Sequence, residues 1–361
     1  MRIVQVVTRP QRRGAEIFAA QLSEQLIKLG HQVTLIALFK SEQGLDFDGE
    51  QIKLELDSRG KIDFKGFKLL AQKLRELNPH VVQANASEAL RMCVGAGYFY
   101  KGQYKLIYRN ANQISPMLKG RLAKIWNKFL LSQVDGIISV SDASRWDVIQ
   151  TFSLRKRMVT IPIGVNSEEI NQKLAKADSP ISSPYLIQIG SLVPEKDPLG
   201  MLEIFKELQI PNLKMVFLGS GPLEDSLTDQ IQMLGLSDQV LLIPNQANIF
   251  PYLAKASALV MTSKVEGLPG VILEAMYCKV PVIAYGVGGI PEILKNGKTG
   301  WCMTPSDSNA FINSIHEVLT MEAFAKQEIL NQAHHLVLSH YTLPQVTRQF
   351  EDFYKDLLGQ H

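Results

Sequence analysis

The run VEGLPGVILEAM (265–276) puts Glu266 and Glu274 on either side of a Gly-Leu-Pro-Gly loop, with seven residues between them. Pro269 and Gly270 suit the first positions of a helix, where the missing proline amide is no loss and its fixed φ helps. A helix from about 270 to 278 follows, with Val271, Ile272, Ala275 and Met276 as its apolar residues. Its free first-turn amides make a ready site for a phosphate or diphosphate. Carboxylates would repel such a phosphate, so Glu266 and Glu274 suit sugar hydroxyls beside it: a ribose for one, a second sugar for the other. A pair of glutamates that merely complements a helix dipole is the plainer alternative.

The elements that must hold these residues repeat along the chain. Short β-branched runs at 2–7, 32–38, 80–84, 105–109, 135–140 and 158–163 alternate with helical patterns. The rhythm restarts at 185–190, 214–219, 239–244, 258–262 and 280–286. Near-continuous apolar strands separated by helices predict parallel sheets buried on both faces. The polar stretch 166–184, read as a helix plus a linker, interrupts the series. The fold expected is therefore α/β, with two Rossmann-like doubly wound domains facing across a cleft. The expected domains are 1–165, with a C-terminal helix at about 343–361 returning to it, and 166–342. Ligands of such sheets bind beyond the carboxyl ends of the strands, so the loops there are the places to search.

Bulk properties narrow the function. The 361 residues suit two domains, and no stretch approaches the apolar length of a membrane-spanning helix. The N-terminal apolar run is too short for a signal peptide. Cys93, Cys278 and Cys302 are far apart, give no metal spacing and suit a reducing compartment. A cytoplasmic location is expected, with no cofactor and no metal. Residues 1–165 carry 25 Lys or Arg against 14 Asp or Glu, a balance of +11, whereas the remainder carries 13 against 21, a balance of −8. The basic half favours an anionic surface. Zinc-finger, RNP-like and helix-turn-helix patterns are absent, so no nucleic-acid partner is expected.

The run 263–294, from SKVEGLPG to GVGGIPEIL, resembles the E-x7-E signature of group-1 (family 4) retaining glycosyltransferases, two-domain GT-B enzymes that use nucleotide sugars. The likeness extends to RRGAEIFAAQLSEQLIKLGHQVTLIAL (12–38), VSDASRWDVI (140–149), TIPIGVN (160–166) and IGSLVPEKDP (189–198). It implies an N-terminal acceptor domain and a C-terminal donor domain. By this resemblance Lys196 contacts the donor diphosphate, Glu274 the ribose hydroxyls and Glu266 a hydroxyl of the donor sugar. Glu266 and Lys196 are then the catalytic candidates. The donor-binding set is Glu274, Gly270, Val271, Ser191, Gly190, Leu268 and Pro269. Gly14 falls at the tight turn near the reaction centre.

The chain departs from the family pattern in two places. Ser191 stands where an arginine often accompanies the lysine, so the diphosphate has fewer positive partners. The histidine that many members place near the donor sugar is missing, since His31 and His80 read as structural. Asn85, Arg109 and Asn110 occupy the corresponding strand ends. None is a general base, but a departing phosphate can take the acceptor's proton in a retaining transfer.

Two basic amphipathic segments, 61–77 and 118–131, lie in the first half. The second aligns Leu118, Leu122, Ile125, Trp126, Phe129 and Leu130 on one stripe and Arg121, Lys124 and Lys128 on another face. Such helices can lie in a membrane interface. The simpler expectation is that the apolar stripe faces the core. The sequence thus reads as a metal-independent retaining enzyme acting on a UDP-sugar and a glycan or lipid-linked acceptor in cell-surface polysaccharide synthesis. It would work in the cytoplasm, with peripheral contact at an anionic inner membrane face. The alternative is a non-catalytic nucleotide-sugar-binding scaffold. A dinucleotide-dependent oxidoreductase is disfavoured, because no G-x-G-x-x-G follows the first strand.

Overall fold

Strands read from apolar runs at both ends of the chain form parallel sheets, seen in a computed structural model that describes every residue except 12, 42–43, 58–61, 176–180 and 361. In chain order the first elements are β1 (Arg2–Val7), α1 (Gly14–Lys28), β2 (Gln32–Phe39), β3 (Glu50–Leu56), α2 (Phe64–Leu77) and β4 (Val81–Asn85). Then come α3 (Ser87–Gly97), β5 (Lys105–Asn110), α4 (Gly120–Ser132), β6 (Gly136–Ser139), α5 (Asp142–Phe152) and β7 (Arg157–Thr160). A second series follows with α6 (Ser167–Leu174), β8 (Tyr185–Ile189), α7 (Pro198–Leu208), β9 (Lys214–Leu218), α8 (Glu224–Met233), β10 (Val240–Ile243) and α9 (Phe250–Leu253). It continues through β11 (Ala258–Met261), α10 (Gly270–Tyr277), β12 (Val282–Tyr285), α11 (Ile290–Ile293) and β13 (Trp301–Met303). Helices α12 (Ser308–Thr320), α13 (Ala323–His340) and α14 (Leu343–Leu357) close the chain.

The chain divides into two units, Met1–Gly164 with Leu343–His361, and Val165–Thr342. Among the described residues the first holds a seven-stranded parallel sheet in the order β3-β2-β1-β4-β5-β6-β7. The second holds a six-stranded parallel sheet in the order β10-β9-β8-β11-β12-β13. Each is doubly wound, and its strand order reverses at one point: between β1 and β4 in the first unit, between β8 and β11 in the second. Crevices open at such reversals, beyond the strand ends.

Period-2 alternation explains how both faces of the first sheet are buried. Val4 and Val6 pack with α2, α3 and α5 residues such as Leu70, Met92 and Val148. Ile3 points the other way, into a core with Phe18, Leu22 and Leu26 of α1 and Phe350, Phe353 and Tyr354 of α14. The returning helix α14 is thus part of the first unit's core. Gly136 makes room for it, since a Cβ there would lie 2.8 Å from the Phe353 ring. His31 bonds Glu351 of α14 through Nε2 at 3.0 Å, and the His80 ring accepts from the Arg2 amide at 2.8 Å. Both histidines therefore have structural partners.

Two strands lie outside the apolar runs. β3 (EQIKLEL) is an edge strand with an exposed charged face, and β13 is a three-residue edge. Edge strands need only one apolar face and often carry charge on the other. Stretch 166–184 contains α6, while 176–180 falls outside the described residues.

Helix α4 overturns one expectation. Its stripe does not face the core: Leu122 is 83% and Ile125 65% exposed, and Trp126 and Phe129 are exposed as well. Leu130 and Leu131 are the buried residues, and Leu118 packs beside the core half-buried. Periodicity reveals that a helix has an apolar face but not which way the face points.

Candidate functional site

The second unit's site is built at its strand-order reversal. After β8 the chain passes Gly190, at φ 148°, and Ser191 before turning through Pro194–Lys196. After β11 it passes Thr262, Ser263 and Lys264 to reach Glu266. These two loops bond to each other. The Lys264 amide donates to the Glu195 carbonyl at 2.8 Å, and Thr262 Oγ1 to the Asp197 carbonyl at 2.9 Å. Lys264 Nζ pairs with Asp197 at 2.8 Å, and Gln188 Nε2 holds the Lys196 carbonyl at 2.8 Å.

At their meeting point Lys196 Nζ donates to Glu266 Oε1 at 2.5 Å. Glu266 is buried (4% exposed), whereas Lys196 keeps part of its side chain open to solvent. A buried carboxylate without a partner would be costly, and the lysine supplies one. The catalytic candidates thus meet in this structure.

The Glu266 loop rests on the GVGG turn. The Gly289 amide donates to the Gly267 carbonyl at 2.6 Å, and Gly288, at φ 57°, lies so close that a Cβ would come within 2.0 Å of the Glu266 carbonyl oxygen. Only glycine tolerates both that conformation and that approach.

Leu268 and Pro269 are buried and lead into α10, which begins at Gly270 with Pro269 as an extended N-cap. Gly270 and Val271 are half-buried at this end, where helix amides can meet an anion. Glu274 lies one turn further and retains partial exposure. Burial pushes its carboxyl up to about 7, Glu169 adds to the rise, and Lys173 opposes it. Both neighbours come from α6, where they form an ion pair with each other. Sequence reasoning missed this contribution from the polar segment, because the proximity of α6 to Glu274 is a long-range fact.

The first unit's reversal, at β1 and β4, is built differently. Gly14 begins α1, exposed, with open space where a Cβ would sit. Glu16 in the same turn is buried, and desolvation raises its pKa against a 3.3 Å hydrogen bond from Gln11. Asn85, Arg109 and Asn110 are the last residues of their strands and are buried, so they do not line an open loop. Asn85 Nδ2 donates to Gln5 at 2.9 Å, within a buried network of Gln5, Gln83 and Tyr354. Asn110 Nδ2 reaches the Ser144 carbonyl at 3.4 Å, on the other side of the sheet.

Arg109 is 1% exposed, its guanidinium lies 4.3 Å from the Phe18 ring centre, and Nε and Nη1 have no hydrogen-bond partner. Burial lowers its pKa to about 10, an effect that Tyr354 and Glu16 oppose. Ala86, just after β4, has φ 84° and ψ 164°, a conformation normally confined to glycine. Glu16 and Ala86 were also not singled out by sequence. In RRGAE the glycine is the residue that the family resemblance marks, and backbone strain leaves no sequence signal.

Comparison with known proteins agrees with this architecture. Residues 12–169 match the model for glycosyltransferase family 4, and residues 167–335 match that for glycosyl transferases group 1. The chain belongs to the group-1, family-4 glycosyltransferases. Sucrose-phosphate synthase from Thermosynechococcus elongatus superposes with a TM-score of 0.84 at 19% identity, over 100% of both chains. Anabaena HepE in complex with UDP and glucose gives a TM-score of 0.82 at 18% identity, over 98% of this chain and 99% of that one. These likenesses establish the GT-B fold. A Campylobacter jejuni relative, N-acetylgalactosamine-N,N'-diacetylbacillosaminyl-diphospho-undecaprenol 4-alpha-N-acetylgalactosaminyltransferase, is 26% identical over 215 residues, 58% of each chain. The chain spans about half the length of the curated relatives it matches. Among the described residues, no helix is long and apolar enough to cross a membrane.

Proposed function

We propose that the protein is a retaining, metal-independent glycosyltransferase that moves a sugar from a UDP-sugar to a glycan or lipid-linked acceptor in cell-surface polysaccharide synthesis. The observation that carries this reading is the Lys196–Glu266 pair at the second sheet's reversal. Lys196 and the first amides of α10 would hold the diphosphate, Glu274 would accept from the ribose hydroxyls, and Leu268 and Pro269 would shape the approach. A diphosphate carries more negative charge than one carboxylate. It would take over the Lys196 ammonium and release Glu266 to accept from a hydroxyl of the donor sugar.

In the transfer, the bond from the sugar's anomeric carbon to the diphosphate oxygen breaks as the acceptor oxygen bonds to that carbon on the same face. The acceptor's proton passes to the departing phosphate oxygen, which removes the need for a protein base. Lys196 and the helix amides stabilise the charge that gathers on that diphosphate. Ser191 adds at most a neutral hydrogen bond where a second cation would help. The HepE complex with UDP and glucose supports the choice of uridine donor, and the C. jejuni relative's diphospho-undecaprenol-linked substrate supports a lipid-linked acceptor. Such an acceptor would call for work at the cytoplasmic face of an anionic membrane, and the +11 balance of residues 1–165 supports that reading.

The test is thermal denaturation with UDP, GDP, ADP and their sugar conjugates, repeated with Glu274→Ala. Ligand that binds only the folded state raises the melting temperature. A shift with uridine nucleotides alone, lost in the variant, supports the reading. A guanosine-only shift would overturn the donor assignment. UDP binding with neither transfer nor donor hydrolysis would favour the scaffold reading instead.

A further inference from the structure

Helix α4 has an outward apolar face that is exposed among the described residues. At about 100° per residue, Leu122, Ile125, Trp126 and Phe129 share an arc roughly 100° wide. Arg121, Lys124 and Lys128 occupy the neighbouring arc beyond Ile125, and Leu130 and Leu131 anchor the helix from another side. Trp126 and Phe129 stack at 5.8 Å between ring centres, and Met117 just before the helix is exposed too. A contiguous exposed apolar stripe on a folded unit marks a surface that meets another apolar phase.

Charge decides which one. Residues 89–134 contain eight Lys or Arg and no Asp or Glu. Two copies of this chain meeting through α4 would bring Arg121, Lys124 and Lys128 of each against the other, which is repulsive. An anionic bilayer offers hydrocarbon to the stripe and phosphate headgroups to the cations flanking it.

We propose that α4 is the membrane-docking element of this protein. It lies in the plane of an anionic bilayer with Leu122, Ile125, Trp126 and Phe129 below the headgroups and Arg121, Lys124 and Lys128 among them. The inference rests on the reading above only for its biological sense; the surface itself is independent of the donor site, which lies in the other unit.

The test is sedimentation of the full chain with vesicles of phosphatidylcholine alone or with one-third phosphatidylglycerol, with Trp126 fluorescence followed in parallel. Binding should require phosphatidylglycerol, weaken with salt and shift the emission to the blue. Trp126→Phe should remove most of that blue shift, although Trp146 and Trp301 remain. Lys124→Gln with Lys128→Gln should lower the partition coefficient about fivefold per cation removed. Leu122→Ser with Ile125→Ser should abolish binding.

All these variants change exposed positions and should keep the wild-type melting temperature. They should also keep its UDP-induced shift, so failure of vesicle binding is distinguishable from failure of the donor assignment. No binding by the wild-type chain, or equal binding by the Leu122/Ile125 variant, would overturn the proposal. A concentration-dependent dimer that dissociates on Leu122→Ser with Ile125→Ser, with no vesicle binding, would overturn it in favour of self-association.

Discussion

The two sheets reverse strand order in the same way, yet their crevices are built on opposite principles. In the second unit the charged groups at the reversal are tied to one another: Lys196 to Glu266, Lys264 to Asp197, and one loop to the next through backbone bonds. In the first unit the reversal carries a strained Ala86, and the buried groups behind it include an Arg109 with Nε and Nη1 unpartnered and a Ser139 hydroxyl without a partner. A ligand chemistry that stays constant, such as a nucleoside diphosphate, can be met by a prebuilt arrangement of charge. On the proposed reading the first unit meets the acceptor, and the acceptors named for relatives differ, so a fixed arrangement of charge would not serve there.

The sharpest break in this comparison comes from Lys196→Ala. If the second unit's arrangement holds a departing diphosphate, transfer should fall on the order of 10²- to 10³-fold, the scale of losing one preorganised charge partner. Steady-state kinetics with a uridine-sugar donor would measure it. A loss confined to KM would mean that Lys196 holds ground state and transition state alike. A Lys196→Arg variant that restores binding but not rate would show that the point charge, rather than charge alone, is needed.

Next in size is Gly288→Ala, which tests whether the turn positions Glu266. The added Cβ would sit 2.0 Å from the Glu266 carbonyl oxygen at a left-handed φ of 57°, so the loop must move. A destabilisation of about 1–3 kcal/mol is expected from strain of this kind, together with lower transfer. Thermal denaturation and activity together would check it. Unchanged activity in a destabilised variant would show that Glu266 does not depend on this support.

How much of this could be read beforehand follows from the same contrast. The eleven apolar runs match strands to within three residues at either end, because a doubly buried parallel strand has to be apolar along its length. β3 and β13 escaped, one because its charged edge face breaks the run and the other because three residues are too few. Gly270 was legible from its place at a helix start, and Lys196 and Glu266 from the family resemblance of their loops; that the two side chains meet is what the structure adds. Gly288 was visible only as part of a motif, and its reason, contact with the Glu266 carbonyl, is tertiary. The outward turn of α4, the approach of α6 to Glu274 and the stacking of Arg109 on Phe18 are all contacts between distant segments. Local patterning carries no record of them.

A smaller effect separates Glu274 from its neighbours. Its folded pKa, about 7, exceeds the ordinary value of 4.5, so the folded unit holds that proton more tightly than the unfolded chain does. Stability from this group is therefore greatest at low pH and declines as pH rises from about 4.5 to 7. Glu274→Gln should raise the melting temperature by a few degrees at pH 8 and change it little at pH 5. The same variant should lose the donor-induced shift, and wild-type donor affinity should weaken below pH 7 as the carboxylate becomes protonated. A stability difference that does not change with pH would remove the titration of Glu274 from the explanation.

The smallest expected effect on the fold asks what Arg109 is for. A guanidinium buried against Phe18 with two nitrogens unbonded gains a cation–π contact but has lost its hydration. Replacing a buried charge with an apolar side chain of similar volume is often neutral or stabilising. Arg109→Met should thus leave the melting temperature unchanged or raise it slightly, and should leave the UDP-induced shift intact, since the proposed nucleotide site is in the other unit. If transfer to acceptor then falls while donor hydrolysis persists, the first unit retains Arg109 for an anionic group on the acceptor. If transfer is unaffected, Arg109 only fills the space between β5, α1 and α14, and the acceptor-binding residues must be sought nearer Gly14 and Glu16.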